Sequence, residues 1–262
     1  MHIVIVGGTG TAGRVLTRHA LIAGHRVRVL TRTRPSQPLR PAETVIGNLT
    51  TGDGLTTAVR DVDAVVDLSN TTEASRRAAT HFFTEGTRRL FAAETAAGVR
   101  HHLTLSIVGV DALPSGYYQA KLAQERAVQT ASQDTGIGHT IARVTQFHDF
   151  AATTLQRFRV GPIVLAPALQ VRPVHLDDVA EYLLRLLDQP PAGFAEELGG
   201  PHDEQLDDMT RRLARATGRR LAVLPAPLPR AVRRANQAGV LRPSAGIRGG
   251  IGFDQWLQEQ QR

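Results

Sequence analysis

The chain has 262 residues and 42% hydrophobic content, enough to bury the core of one large domain with a smaller appended part. It contains no cysteine, which excludes disulfides, thiolate metal sites and a cysteine nucleophile and favours a reducing compartment. No secretory leader is recognisable at the first residues, and no apolar run approaches membrane-spanning length. We therefore expect a cytoplasmic protein with no membrane partner.

The formal net charge of +7 is concentrated near the C-terminus. Residues 209–253 contain no acidic residue, and their arginines are Arg211, Arg212, Arg215, Arg219, Arg220, Arg230, Arg233, Arg234, Arg242 and Arg248. Such a segment is a solvated surface or attracts an anionic substrate, cofactor phosphates or nucleic acid. We favour the solvated surface over nucleic-acid binding, which would need a steeply salt-dependent affinity.

From the first residue to about Arg143, short β-branched runs alternate with longer helical stretches, a pattern typical of a parallel sheet flanked by helices. The predicted strands are His2–Val6, Arg26–Thr31, Thr44–Ile46, Asp63–Asp67, His102–Ser106 and Thr140–Arg143. The predicted helices are Ala12–Ala23, Glu73–Ala97 and Tyr117–Thr135, each followed by a glycine that accepts the left-handed conformation of a helix end.

Beyond Val144, prolines divide the chain into short pieces around helices predicted near Leu176–Leu187 and Gln205–Thr217. Asp177 and Asp178 suit the first turn of the former helix, where carboxylates meet the positive end of the helix dipole. The predicted fold class is α/β, a Rossmann-type doubly wound parallel sheet with a smaller C-terminal α+β substrate lobe. We expect a nucleotide-binding domain over residues 1–145 and a lobe, partly interleaved with it, over residues 146–262.

A glycine-rich loop follows the first strand, with the sequence Gly7-Gly8-Thr9-Gly10-Thr11-Ala12-Gly13. Gly7 permits a tight turn, Gly10 lets the backbone approach a pyrophosphate, and Gly13 lets the helix pack closely on the sheet. Free N–H groups at the helix start bind the anion. Since the loop lies between a predicted strand and a predicted helix, it predicts dinucleotide binding rather than a plain turn.

The second strand ends in Leu30-Thr31-Arg32-Thr33-Arg34, without the acidic residue that usually binds the ribose hydroxyls of NAD. Cations at Arg32 and Arg34 suit the 2′-phosphate of NADP(H), which is the preferred cofactor. The alternative is that both arginines are solvated loop residues.

Lys121 is the single lysine of the chain and lies four residues after Tyr117, so both side chains share one helix face. A neighbouring ammonium favours the phenolate of a tyrosine and lets it exchange a proton with a carbonyl or alcohol oxygen. The strand Leu103–Ser106 delivers Ser106 to the carboxyl end of the sheet, where its hydroxyl would hold the substrate oxygen. The predicted catalytic residues are Tyr117, Lys121 and Ser106. Because Tyr118 is adjacent to Tyr117, the sequence leaves open which of the two rings faces the cofactor.

Several segments resemble the short-chain dehydrogenase/reductase superfamily, specifically its atypical NmrA-like branch of NAD(P)-binding proteins. The segments on which this resemblance rests are Gly7–Gly13, Leu30–Arg32, Gly47–Leu49, Leu103–Gly109, Tyr117–Glu125, Arg143–Phe147 and Val174–Ala180. The resemblance implies that Thr9, Gly10 and Thr11 hold the pyrophosphate, that Thr31 and Arg32 hold the ribose phosphate, and that Asn48 and Leu49 approach the adenine. It further implies that Leu68, Ser69 and Asn70 line the nicotinamide path, that Lys121 binds the nicotinamide ribose, and that Thr145, Gln146 and Phe147 cover the nicotinamide.

The predicted function is that of an NADPH-dependent oxidoreductase that reduces a carbonyl or activated double bond of a small organic substrate. The arginines near the C-terminus favour an anionic or oxygen-rich substrate, and a monomer or homodimer is expected. The alternative is a non-catalytic, NAD(P)-sensing regulatory protein of NmrA type, with residues 209–253 as its partner surface. No metal site is predicted, because the histidine and aspartate spacings do not make one.

Overall fold

The computed structural model describes residues 1–73, 75–243 and 245–261. Ala74, within a predicted helix, and Ser244 and Arg262, within the predicted lobe, lie outside the described residues. The strands are β1 (His2–Val6), β2 (Arg26–Thr31), β3 (Glu43–Ile46), β4 (Ala64–Asp67), β5 (His101–Ile107), β6 (Gly138–Val144), β7 (Arg159–Val160), β8 (Ile163–Pro167), β9 (Gln170–Val171), β10 (Gly193–Phe194), β11 (Leu198–Gly199), β12 (Glu204–Gln205), β13 (Ala222–Ala226) and β14 (Ile247–Arg248). The helices are α1 (Thr11–Ile22), α2 (Leu55–Ala58), α3 (Arg76–Ala97), α4 (Gly116–Thr135), α5 (Phe150–Arg157), α6 (Leu176–Leu187), α7 (Leu206–Ala216), α8 (Arg230–Gln237) and α9 (Phe253–Glu259).

Two compact units divide the chain. The first contains residues 1–106, 115–143 and 180–195, and the second contains residues 107–114, 144–179 and 196–262. The boundary predicted at residue 145 stays a prediction. No helix in the described part of the chain is long and apolar enough to cross a membrane.

The first unit is built on a sheet in the order β3-β2-β1-β4-β5-β6. The pairs β3–β2, β2–β1, β1–β4 and β4–β5 are all parallel. This is the Rossmann strand order, in which the chain crosses from one half of the sheet to the other beside β1. The predicted doubly wound parallel sheet is therefore confirmed.

Apolar strands and glycine stops form this unit largely as the sequence predicts. Residues Ile3 to Val6 of β1 are at most 2% exposed, as expected for a strand covered on both faces. Gly98 and Gly136 end α3 and α4 in the left-handed conformation. Helix α3 begins three residues later than predicted, because Ser75 caps it by accepting a hydrogen bond from the amide of Ala78.

The second unit contains a three-stranded sheet in the order β13-β8-β7 and a short antiparallel pair of β9 and β12. Helix α6 has the predicted bounds and carries Asp177 and Asp178 in its first turn. Helices α5, α8 and α9 were not predicted, since each has eight residues or fewer and lacks a long periodic pattern.

Candidate cofactor site

The strand register brings four loops together at the carboxyl edge of the sheet. Val6 pairs with both Leu30 and Asp67, and Thr31 pairs with Ile46, so the chain leaves β1, β2, β3 and β4 at one level. A cavity of about 210 Å³ lies there. Its lining residues are Val6, Gly7, Thr9, Gly10, Leu30, Thr31, Arg32, Gly47, Asn48, Leu49, Leu68, Ser69, Asn70 and Phe82.

The glycine loop has the geometry that a pyrophosphate requires. Gly7 adopts a φ of +75°, which only glycine takes without strain. A Cβ on Gly13 would lie 2.3 Å from the carbonyl oxygen of Gly7, so a larger residue would push α1 away from the loop. Helix α1 has no side-chain cap at Gly10 and no acidic residue in its first turn. Its first N–H groups are thus suited to bind an anion, and the loop fits a dinucleotide.

Thr31 and Arg32 lie at the end of β2, beside the glycine loop. The hydroxyls of Thr9 and Thr31 are 3.0 Å apart, which ties the first loop to the second. Arg32 is exposed and is the charged side chain of the lining, which holds no acidic residue among the described positions. The local field therefore favours a negatively charged group near Arg32.

The loop after β3 supplies Asn48 and Leu49 to the lining. The side-chain oxygen of Asn48 accepts the amide of Thr50, and the carbonyl oxygen of Asn48 accepts the amide of Gly52, so the loop is closed by its own hydrogen bonds. Arg34 is not part of this lining and instead borders a second cavity, of about 190 Å³, with Pro35, Pro38, Thr44 and Ile46. Of the two predicted phosphate-binding arginines, Arg32 is the one that lies at the main cavity.

Tyr117 contacts the cavity through a lining residue. Its hydroxyl donates to the side-chain oxygen of Asn70 at 2.9 Å, and its ring packs edge-on against Phe83. Burial raises the pKa of Tyr117 to about 12, although the hydrogen bond to Asn70 lowers it. The phenol is therefore neutral in this arrangement, and no phenolate forms near neutral pH.

Lys121 is buried, and its ammonium points to the protein interior. It donates to the carbonyl oxygen of Leu105 at 2.8 Å and to the side-chain oxygen of Gln124 at 2.5 Å, and it lies 4.8 Å from the ring centroid of Phe83. Burial lowers the pKa of Lys121 to about 8, against the opposing charges of Asp67 and Glu125. Gln124 in turn donates to Asp67, which accepts the amide of Ser69 in the cavity lining.

Ser106 is also buried, and its hydroxyl donates to Glu125 at 2.5 Å. The same carboxylate binds the guanidinium of Arg143 at 2.9 and 2.7 Å. The hydroxyl of Ser106 therefore donates its hydrogen bond to Glu125. The sequence predicted that this hydroxyl would instead bind the substrate oxygen.

The remaining predicted residues lie outside the cavity lining. Thr11 is the first residue of α1 and is exposed. Thr145, Gln146 and Phe147 belong to the second unit, where Thr145 donates to the carbonyl oxygen of Arg172 and Phe147 forms a bridge with Val174. Their closure over a nicotinamide stays a prediction. Among the described residues, no group of three histidine, aspartate or glutamate side chains could hold a metal ion.

Sequence reasoning missed Phe82 in the lining and the buried polar partners Asp67, Gln124 and Glu125. Phe82 lies on α3, which carries no signal that separates a lining aromatic from a core one. Gln124 and Glu125 do carry a signal, because they lie three and four residues after Lys121 and so share its helix face. Asp67 ends an otherwise apolar strand, which marks it as a side chain with a dedicated partner.

Known proteins are similar to this chain in sequence and in fold. A family model described as NAD(P)H-binding matches residues 7–190. The Photosystem II assembly factor Ycf39 of Trieres chinensis is 26% identical over 199 residues, which are 72% of this chain and 60% of that protein. The (4-alkanoyl-5-oxo-2,5-dihydrofuran-3-yl)methyl phosphate reductase of Streptomyces griseus is 28% identical over 227 residues, which are 84% of this chain and 75% of that protein.

A solved short-chain dehydrogenase/reductase superfamily protein from Agrobacterium tumefaciens, with bound NAD, has a TM-score of 0.74 at 22% identity, covering 99% of this chain and 95% of that one. This likeness shows the fold. The family match covers the glycine loop and the loops that line the cavity, and it agrees with the resemblance that the sequence predicted. The chain therefore belongs to the NAD(P)H-binding family.

Proposed function

We propose that the chain is an NADPH-dependent reductase of a carbonyl or activated double bond in a small organic substrate. The observation that carries the cofactor preference is the cavity lining, in which Arg32 supplies a positive charge and no described residue supplies a negative one. A 2′-phosphate beside Arg32 would gain a charge-assisted hydrogen bond that the ribose hydroxyl of NADH lacks.

In this proposal the glycine loop and the start of α1 hold the pyrophosphate, and Asn48 and Leu49 border the adenine. Ser69 and Asn70 line the path toward the nicotinamide. A bound reduced nicotinamide would supply a hydride to the substrate carbon. Tyr117 would supply the proton to the substrate oxygen, since its hydroxyl already hydrogen-bonds to Asn70 at the edge of the cavity.

In this proposal Lys121 and Ser106 are buried residues that support the site through their hydrogen-bond partners. Lys121, together with Gln124 and Asp67, holds the chain around Ser69, and Ser106 binds Glu125. The reductase named among the relatives supports this substrate class, and the arginines of residues 209–253 favour an anionic or oxygen-rich compound.

Turnover of NADPH with a panel of carbonyl substrates, measured for the wild type, Tyr117→Phe and Tyr118→Phe, tests the catalytic part. Tyr118 is the matched control, because it is the adjacent ring on the same helix. We expect Tyr117→Phe to lower kcat roughly a hundredfold or more and to leave NADPH affinity within about twofold. Equal loss in both variants, or full activity of Tyr117→Phe, would remove Tyr117 from the reaction.

One set of contacts supports a second function, that of a cofactor-sensing protein without turnover. The ammonium of Lys121 and the hydroxyl of Ser106 are both engaged by buried partners, and burial raises the pKa of Tyr117 to about 12. Each of these contacts makes proton transfer harder. The relative named as an assembly factor carries a name that describes no reaction. Tight NADPH binding with no turnover of any carbonyl by the wild type would favour this function over the reductase.

A further inference from the structure

The small sheet of the second unit exposes an apolar face. Register places Val160, Ile163 and Ala222 in one row across β7, β8 and β13, and it places Leu165 beside Leu224. Leu165 also donates its amide to the carbonyl oxygen of Phe158, which extends the second row. We call these six residues the apolar sheet face. Val160 is 71% exposed, Leu224 47% and Leu165 46%, so the face is open.

The opposite face of the same sheet is an ordinary core. Val164 and Ala166 of β8 and Val223 of β13 alternate with the exposed residues and are buried. Helices α5 and α7 pack against β8 on this side. A strand that is covered on one face only usually carries polar residues on the other. Strand β8 instead has the composition of a strand covered on both faces, which indicates that something further covers the apolar sheet face.

Positive charge lies at one end of this face. Arg159 and the pair Arg219 and Arg220 are exposed and lie next to the tip formed by Val160, Gly161, Pro162 and Ile163. Arg159 donates to the carbonyl oxygen of Gly161 at the tip itself. The two segments that form the sheet, residues 150–176 and 209–253, contain no acidic residue. Charge complementarity therefore favours a partner that is anionic as well as apolar.

This charge argues against a second copy of the chain, which would bring the same arginines to the same place. The two edge strands of this sheet are also poorly suited to pair with an added strand from a partner. Pro225 interrupts the donors along β13, and β7 has only two residues, so neither edge offers a useful row of backbone groups. An anionic lipid bilayer fits both properties of the face, because its headgroup phosphates would bind the arginines and its acyl chains would contact the apolar side chains.

We propose that the apolar sheet face, with Arg159, Arg219 and Arg220 around its tip, docks the protein on an anionic membrane surface. Val160 and Ile163 enter the boundary between headgroups and acyl chains, and the arginines bind lipid phosphates. The sequence-based expectation of no membrane partner rested on the lack of a membrane-spanning run, and a hairpin tip that lies in the interface needs no such run. The proposal goes beyond cofactor binding and does not depend on it.

Co-sedimentation of the full chain with vesicles of phosphatidylcholine alone and of phosphatidylcholine with 30% phosphatidylglycerol tests the proposal. We expect binding to the anionic vesicles only, weakened by 0.5 M NaCl. Arg219→Ala/Arg220→Ala should weaken binding roughly 25-fold, at about fivefold per arginine. Val160→Ser/Ile163→Ser should weaken it roughly tenfold.

Two matched controls lie in the first unit. Ile22→Ser removes an apolar side chain that is 78% exposed, and Arg26→Ala removes an exposed cation. Both should bind anionic vesicles like the wild type. If Val160→Ser/Ile163→Ser binds anionic vesicles as tightly as the wild type, the binding is general charge attraction and the proposal is overturned. A dimer in analytical ultracentrifugation that these substitutions dissociate would assign the face to a second copy. Binding to polyglutamate but not to vesicles would assign it to an acidic protein.

Discussion

The ammonium of Lys121 lies 2.5 Å from the side-chain oxygen of Gln124, inside the first unit. Gln124 also donates to Asp67 at 2.9 Å, and Asp67 accepts the amide of Ser69 at 2.8 Å. The single lysine of the chain is therefore connected through two buried side chains to a residue of the cavity lining. Its charge is held away from water, so its titration is tied to folding.

Lys121 should make stability rise with pH above about 8. Burial lowers its pKa to about 8 in the folded chain, from 10.5. Between these values the unfolded chain keeps the proton and the folded chain releases it, so the free energy of unfolding increases by up to about 3 kcal/mol. Urea denaturation at pH 7.5, 8.5 and 9.5 measures the rise. Lys121→Met should abolish it, and Arg126→Met, an exposed cation on the same helix, should keep it. An unchanged rise in Lys121→Met would contradict this assignment.

A buried pair of Glu94 and His102 should stabilise the fold most at low pH. Both side chains are fully buried, with 2.8 Å between Nδ1 of His102 and the carboxylate. Burial lowers the pKa of His102, but the charge and hydrogen bond of Glu94 and the charge of Asp67 raise it further, above 6.5. This contribution is complete below pH 6.5 and is lost as pH rises through the raised value.

Glu94→Gln tests this pair, because it leaves a buried cation without its counter-charge. We expect a loss of about 3–5 kcal/mol at pH 6 and a smaller loss at pH 9, measured by urea denaturation. Glu85→Gln on the same helix, which breaks an ion pair with the largely exposed Arg88, should cost much less stability than Glu94→Gln. Equal costs at both pH values would show that the protonation state of His102 does not change between pH 6 and pH 9, which would contradict this account.

Gly13 should not tolerate alanine. The new Cβ would meet the carbonyl oxygen of Gly7 at 2.3 Å and the Cα of Gly8 at 2.5 Å, and both are backbone atoms that cannot turn aside. We expect a loss of about 1–3 kcal/mol in stability and a weaker affinity for NADPH. Gly250→Ala is the control, because no atom lies within 4 Å of its Cβ position and its φ is not positive. Thermal unfolding and NADPH titration of both variants measure the difference, and a neutral Gly13→Ala would refute the close packing of α1 on the loop.

Much of the first unit could be predicted because its signals are local. Strands β1 and β2 have the predicted bounds, since a run of β-branched residues covered on both faces is distinctive. The glycine loop was predicted because the spacing of Gly7, Gly10 and Gly13 reflects contacts within a few residues. The start of α3 was misplaced because the cap at Ser75 outweighs the helical pattern before it.

The partners of the catalytic candidates could not be predicted, because they depend on long-range pairing. Gln124 meets Asp67 across 57 residues of sequence, and no local pattern indicates that contact. Lys121 donates to Leu105 and to this same Gln124, so its partners also depend on the folded arrangement. The apolar sheet face could not be predicted from the sequence either, because β8 has the composition of a fully buried strand. Only its pairing with β7 and β13 reveals that one side is open.

The most direct test of the cofactor assignment is a titration of the purified protein with NADPH and with NADH, followed by nicotinamide fluorescence. It compares the wild type with Arg32→Ala and with Arg26→Ala, a cation at the opposite end of the same strand. We predict tighter binding of NADPH than of NADH, a loss of NADPH affinity of roughly tenfold to a hundredfold in Arg32→Ala, and little change in Arg26→Ala. An unchanged preference in Arg32→Ala would contradict the role of that residue, and no binding of either dinucleotide would contradict the cofactor site itself.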